Sequence, residues 1–463
     1  MSEAGASHSA DEPDPLALPE YEPGSAVALT DTERWPTLTE DGARRLHALE
    51  THPLAPPWIH RAGDRLTSAG VTRAAEPLPV DGWLEEHLAI ARRLPAYRRF
   101  ADRLLTLEDF PPITRDDLVD DVSAFVPLDA DFDMMITGSS SGTTGNALQI
   151  PDHVEEVART LTLMRTLVAA QGVVWRPDPQ RLALAYIVHQ RQAFTYTSSL
   201  SGFGQATMAR LNLHPSQWAG PGQRQGFLVD QQPQVFSGSP SSLAELLDPS
   251  LTESLRPLAL FSGAMELSRP LRAALAAAYG CPVIDLFGLR ETRSIAASTD
   301  GGPFVILDRR VHVEILDPEG RPVPPGTRGE IVVTAGENPL LPLVRYRTSD
   351  FGRLIEVDGR PALADLEGRT ATDFAAGDGS LVPSVDLTQY LQAAGCHDWS
   401  LVQNEAGAVT AAIVGGDAAL VRRSLEALLG RPIAVTPLDR MSELGERKHR
   451  RYESRVVGGP TLS

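Results

Sequence analysis

Lysine is almost missing from this chain: Lys448 stands alone against 41 arginines within a Lys+Arg total of 42. A lysine-rich surface is thereby excluded, and any step that needs a compact ammonium has a single candidate. Arginine has taken nearly every position where either cation serves. The leftover lysine is either a chance survivor or the holder of a job unsuited to a wide planar guanidinium fork. Cysteine is scarce too. Cys281 and Cys396 lie far apart with no motif spacing, which excludes a disulfide framework and points to a reduced, cytoplasmic protein. The eleven histidines lack metal-type pairing, and His397 beside Cys396 reads as a loop neighbour. No apolar run approaches the roughly 20 residues of a membrane-spanning helix. The acidic N-terminus argues against a signal peptide. Positive charge is in deficit: a net charge of -18 and a pI near 5.1 argue against nucleic acid or an anionic membrane as partner. An anionic substrate would need a local cationic patch in an acidic molecule.

What is present is enough chain for two or three domains, at 463 residues. Residues 1–25, rich in Ala, Ser, Pro, Asp and Glu, read as a flexible arm. Asp81 to Leu105 has helical periodicity, ended by Phe110-Pro-Pro-Ile-Thr-Arg115. Thr114 is placed to cap a short helix that starts at Arg115. Glu155 to Gln171 reads as a helix. Beyond it, strand-like and helical runs alternate: Leu182–Val188, Val235–Pro240, a helix from Ser241, Pro257–Phe261, Arg269–Tyr279 and Pro282–Phe287. Such alternation predicts a mixed or parallel sheet with helical crossovers. After residue 300 short alternating segments between Pro/Gly turns predict a β-rich subdomain, and residues 401–437 predict a small α+β unit with a boundary near Gly368. The fold class expected is α/β: a large N-terminal mixed-sheet domain with a β-rich subdomain, plus a small mobile α+β C-terminal domain.

The strongest local signal is Thr137-Gly-Ser-Ser-Ser-Gly-Thr-Thr-Gly145, where hydroxyls and glycines alternate after Met134-Met-Ile136. Glycines let backbone N–H groups approach an anion and Ser/Thr hydroxyls add donors, so the segment is fit to cradle phosphates. It lacks the Gly-Lys-Ser/Thr ending of a Walker loop. A Ser/Gly linker is the plainer alternative, but linkers seldom run mid-domain into a strand and helix. Phe287-Gly-Leu-Arg-Glu291 follows a predicted strand: Phe287 offers a ring to stack on a planar base, Gly288 close approach, and Glu291 a hard oxygen ligand for Mg²⁺. Arg345-Tyr-Arg-Thr-Ser-Asp350 puts a carboxylate at an expected strand end, a placement suited to ribose hydroxyls. Each is weak alone.

In order, these segments followed by Gly368-Arg369 and Lys448 resemble the adenylate-forming superfamily of acyl- and aryl-coenzyme A synthetases, and within it the phenylacetate–coenzyme A ligase branch. Leu94-Pro-Ala-Tyr-Arg98 and Phe110–Leu118 are similar to that branch's N-terminal segments, and the likeness runs from about residue 85 to 456. The resemblance implies that Ser140, Ser141, Gly142, Thr143, Thr144 and Gly145 hold the ATP phosphates. Gly263, Ala264 and Phe287 would flank the adenine, with Asp285 near its amino group and Gly288 among the nucleotide-binding residues. Glu291 would help hold Mg²⁺, Asp350 the ribose hydroxyls and Arg369 the nucleotide from a hinge. Lys448 would bridge substrate carboxylate and α-phosphate, which gives the lone lysine its job. The acyl pocket is expected in 189–204, with His189, Phe194, Tyr196 and Phe203 as lining candidates for an aromatic acid. Residues 26–367 would form the ATP- and acid-binding domain and residues 368–463 the domain carrying the lysine.

Four departures qualify the likeness. Asn146 stands where many relatives have lysine, Arg290 where Ser or Thr is usual, and Ser349 where glycine is common. After Arg369 the hinge reads Thr-Ala-Thr-Asp-Phe-Ala-Ala-Gly-Asp-Gly379 in place of an Asp-Asp pair and an Arg-Gly-x-Asn loop. Three readings stand. The first is acyl-adenylate formation from a carboxylic acid, expected to be aromatic, then transfer to coenzyme A. The second keeps the adenylation and passes the acyl group to an amine or a carrier protein in secondary metabolism. The third is a non-catalytic nucleotide-binding relative. Oligomeric state is left open, a homodimer included.

Overall fold

In the computed structural model the described residues are 29–140, 148–190, 193–368, 372–445 and 449–456. Local sequence accounts for many of its elements. Thr114 and Asp117 form a reciprocal capping box, Asp117 Oδ2 accepting from Thr114 N at 2.7 Å, and open the helix Arg115–Asp121. Helix Arg269–Tyr279 has Ser268 as its N-cap, Pro270 in its first turn and Gly280 at φ 61° past its end. Its Leu271 and Leu275 are buried at helical spacing. The helix expected over 81–105 spans only Trp83–Ala91. Leu94-Pro95 explains the early stop, because a proline ring clashes with the preceding turn and cannot donate to it.

Two strands, β1 (Met135–Ser140) and β2 (Leu148–His153), pair antiparallel as a separate hairpin around the hydroxyl-glycine segment. Further on, β3 (Leu184–Val188), β4 (Ala206–Asn212), β5 (Val235–Gly238), β6 (Ala259–Ser262) and β7 (Val283–Leu289) lie parallel, in the spatial order β4-β3-β5-β6-β7. They are apolar and buried, as expected of strands covered on both faces. Strand β8 (Arg293–Ser298) folds back antiparallel on β7. The segments after residue 300, including the long β9 (Leu343–Val357), continue the same thirteen-stranded sheet and do not form a sheet of their own.

Toward the C-terminus, β10 (Cys396–Gln403) and β11 (Val409–Gly415) join Ile433–Leu438 and Tyr452–Ser454 in a four-stranded sheet. Helices Ser384–Ala393 and Ala418–Leu429 cover it around a core that includes Phe374, Trp399, Leu401 and Leu425. Val414 and Met441 of this lobe are buried in the large lobe's cluster with Leu271 and Leu275. No helix among the described residues is long and apolar enough to cross a membrane.

Candidate active site

Register brings the chemistry-bearing segments to one edge. Ile187 pairs with Gly238, Gly238 with Ser262, and Ser262 with Asp285. The carboxyl ends of β3, β5 and β6 therefore finish side by side, level with Asp285 of β7, where open α/β sheets bind ligands. His189 follows β3, Gly263-Ala264 follow β6, and Asp285, Phe287 and Gly288 lie in β7. Ala264 takes φ 67°, and a Cβ built on Gly263 would meet only the Leu286 carbonyl, at 3.7 Å, leaving that face open to a planar ring. Phe287 packs edge-on against Phe304, centroids 6.4 Å apart. Gly288 serves a different purpose from the expected one: a Cβ there would strike the Arg293 carbonyl in β8, so its bareness permits the tight β7–β8 pairing. Asp285 is buried and accepts from Leu267 N at 3.4 Å. Burial pushes its carboxyl up to about 6, against the pull of the Arg272 guanidinium.

The β7–β8 turn reaches across to the hydroxyl hairpin. Arg290 donates to Asp152 in β2, and Arg293 pairs with the same carboxylate while its Nε donates to Glu156 Oε2 at 3.0 Å. Asp152 and Glu156 are fully buried, and burial raises both carboxyls above their ordinary range against the opposing arginines. Asn338 Nδ2 donates to the Pro151 carbonyl at 2.8 Å and fixes the same strand. Arg290, the departure before Glu291, is thus tied to the root of the hairpin. Ser140 closes β1 opposite Leu148; Ser141, Gly142, Thr143, Thr144 and Gly145 lie outside the described residues. Glu291 is buried beside Arg115, Oε1 to Nη1 3.4 Å. Among the described residues no group of three or more His, Cys, Asp or Glu could hold a metal unaided. One carboxylate with phosphate oxygens is nonetheless a donor set that Mg²⁺ accepts.

Asp350 is not at a strand end. It sits within β9, beside Ser349 at φ 61°, where the pairing with the strand Arg328–Ala335 slips. Thr348 Oγ1 holds that irregularity, donating to the Ile331 carbonyl at 2.7 Å and accepting from Asp350 N at 3.0 Å. A Cβ on Gly368 would lie 3.5 Å from Asp350 Oδ1, so the carboxylate faces the entry to the C-terminal lobe. Arg369 and Lys448 lie outside the described residues.

Of the acyl-pocket candidates, His189 is buried with Nε2 3.6 Å from Glu245 Oε1, its ring 5.2 Å from that of His214. Burial lowers its pKa against the pull of Glu245. Phe194 is half-buried, and Tyr196 stands edge-on to His60 with its hydroxyl pKa raised by burial. Phe203 is 2% exposed, packed on Trp175 and under the Arg165 guanidinium, which makes it a core residue. A cavity of about 600 Å³ lined by His52, Pro56, Trp218 and Gln223 shares none of the predicted site residues. Arg293, Glu245 and Glu266 were not singled out from sequence. Arg293, two residues past Glu291, carried the only signal within reach.

A family of AMP-binding enzymes matches residues 114–338. Phenylacetate-coenzyme A ligase of Pseudomonas putida is 26% identical over 60% of this chain and 66% of its own. That of Aromatoleum evansii is 25% identical over 50% of this chain and 54% of its own. The chain thus spans between about half and two thirds of the curated relatives it matches. Among solved structures, 2-hydroxyisobutyryl-CoA ligase in the postadenylation state, in complex with 2-HIB-AMP, superposes with a TM-score of 0.57 at 18% identity, covering 83% of this chain and 88% of that one. The likeness at that identity is one of fold.

Proposed function

We propose that the chain is a member of the adenylate-forming superfamily, in its phenylacetate–coenzyme A ligase-like branch, and that it condenses a carboxylic acid with ATP to an acyl-adenylate, releases pyrophosphate and transfers the acyl group to coenzyme A. The relatives' names support the reaction class, and an aromatic acid is the preferred candidate. The observation that carries the reading is the convergence on one sheet edge of an open Gly263-Ala264 turn, the Phe287 ring and, through Arg290 and Asp152, the root of the hydroxyl hairpin.

In this reading the hairpin's hydroxyls and amides, Ser140 to Gly145, hold the phosphates, and Phe287 with Gly263-Ala264 encloses the adenine. Asp350 takes the ribose hydroxyls and Arg369 the nucleotide from the hinge. Glu291 would hold Mg²⁺, which when bound neutralises phosphate charge and orients the leaving pyrophosphate. The acid's carboxylate attacks the α-phosphorus, so two anions must meet. Positioning and electrostatic stabilisation are then the protein's main tasks. A single ammonium at about 4 Å in an effective dielectric near 20 contributes roughly 4 kcal/mol. If realised at the transition state that is about three decades of rate, the role assigned to Lys448. His189, Phe194 and Tyr196 remain acyl-pocket candidates, whereas the burial of Phe203 against Trp175 argues for a packing role.

Acid-dependent exchange of labelled pyrophosphate into ATP, across a panel of aryl and alkyl acids, tests the adenylation. Exchange with at least one acid is expected. No exchange together with retained ATP binding would instead identify a non-catalytic nucleotide-binding relative. AMP release with coenzyme A, compared with amines and carrier protein, tests the acceptor; preference for an amine or carrier would overturn the thioester step alone.

A further inference from the structure

The C-terminal lobe meets the large lobe next to the Gly263-Ala264 turn, chiefly through Glu266. Glu266 Oε2 accepts from Arg451 Nη1 at 2.6 Å, its carbonyl from Arg451 Nη2 at 2.9 Å, and its Oε1 from Gln392 Nε2 at 3.1 Å. Arg451 in turn lies 4.4 Å over the Trp399 ring and donates through Nε to the buried Asp398 at 2.8 Å. His449 faces the other Asp398 oxygen at 3.3 Å. Ser268, which caps helix Arg269–Tyr279, donates to the His397 carbonyl. The polar ties of this patch join residues 266 and 268 of the large lobe to Gln392, His397 and Arg451 of the small one.

Resting on the function proposed above, we infer that Glu266 and Arg451 are positioning residues for adenylation: their ion pair seats the C-terminal lobe on the loop that flanks the nucleotide. Arg451 follows Lys448 by three residues, at most about 11 Å of chain, and Glu266 follows Ala264 by two, at most about 7 Å. A lobe seated through this pair therefore keeps the lone ammonium leashed to the nucleotide end of the sheet. A lobe not so seated must find that place unaided, and only the seated fraction turns over. The packing of Val414 and Met441 holds the lobes together but is blind to rotation, whereas a forked guanidinium on one carboxylate is directional.

Glu266→Ala in the full-length chain is the variant of choice, because Glu266 is 39% exposed and its loss leaves the Arg451–Asp398 pair intact. Hydrogen–deuterium exchange of segments 263–268 and 396–403 is expected to quicken about threefold or more, since charged hydrogen bonds are lost. The maximal pyrophosphate-exchange rate is expected to fall roughly tenfold, with the KM values for ATP and acid held within about twofold. Glu266→Gln, which keeps the acceptor oxygen, should fall between alanine and wild type. Unchanged deuterium uptake refutes the seating. Quickened uptake with an unchanged maximal rate refutes the positioning role, as does a loss of rate that tracks KM and thermal stability. Wild-type chain that exchanges no pyrophosphate would sink the functional reading itself, and the deuterium comparison would still decide the seating.

Discussion

Arg115 holds its Nη1 3.4 Å from Glu291 Oε1, with neither side chain more than 15% exposed. The N-cap at Thr114 aims the first residue of its helix at the turn between β7 and β8, so a helix start 176 residues upstream sets the electrostatics of the predicted metal ligand. Glu291→Gln keeps the shape and removes the charge. Pyrophosphate release is expected to drop roughly ten- to hundredfold and to need more Mg²⁺ for half-maximal rate. A magnesium titration identical to wild type would remove Glu291 from the metal site.

Asp152 is fully buried between Arg290 and Arg293. Asp152→Ala strips Arg290 of its carboxylate and leaves Arg293 with Glu156 alone, and should destabilise the large lobe by about 3–5 kcal/mol in a denaturant titration. Arg290→Ser, which leaves Arg293 on the carboxylate, should cost only about 1 kcal/mol. Equal losses in the two variants would show that the arginines are not shared partners.

Lys448→Ala is expected to cut acyl-adenylate formation by roughly a hundredfold or more with the fold intact. Lys448→Arg should not restore it, because the guanidinium is too broad for a place between two oxygens. Turnover near wild type in either variant, measured by pyrophosphate release, would take the lysine out of the reaction.

Burial pushes the Asp285 carboxyl up to about 6 from 3.8, so the fold disfavours its ionised form. The cost to stability is nil below the unfolded value, grows as pH rises between the two, and is complete above the folded one. Asp285→Asn should therefore gain stability relative to wild type as pH goes from about 4 to about 7. If the carboxylate accepts from the adenine amino group, ATP affinity should fall for wild type, and not for the variant, as pH drops below about 6. Calorimetry with ATP at both ends of that range decides it.

Phe203 lies against Trp175 with centroids 5.1 Å apart. Phe203→Ala should cost about 3–5 kcal/mol and leave the ranking of acids in the exchange assay unaltered. A changed ranking would return this ring to the pocket.

Much of the fold was legible because it is written locally. Ser268, Pro270 and Gly280 bracket their helix so completely that its predicted bounds, Arg269–Tyr279, match. Apolar runs gave β3 and β6 to within a residue or two. The reading of 81–105 as one helix followed periodicity and underweighted Pro95. The helix Ser384–Ala393 and the hydroxyl hairpin escaped, the latter because alternating serine and glycine carry no apolar period. Gly288 was read as room for a ligand when the space is taken by the Arg293 carbonyl, a fact that only strand pairing reveals.

By itself the sequence determined many of the helices and strands, the order of the hydroxyl loop, Phe287, Glu291 and Asp350, and the isolation of Lys448, since caps, periodicity and residue chemistry act over a few neighbours. Tertiary structure alone decided that Asp152 lies between Arg290 and Arg293, that Asp350 faces Gly368 from within a strand, and that Arg451 closes on Glu266. Those partners are separated by as many as 185 residues. Burial, which makes a charge costly until it meets its opposite, specifies such pairings only once the chain has closed around them.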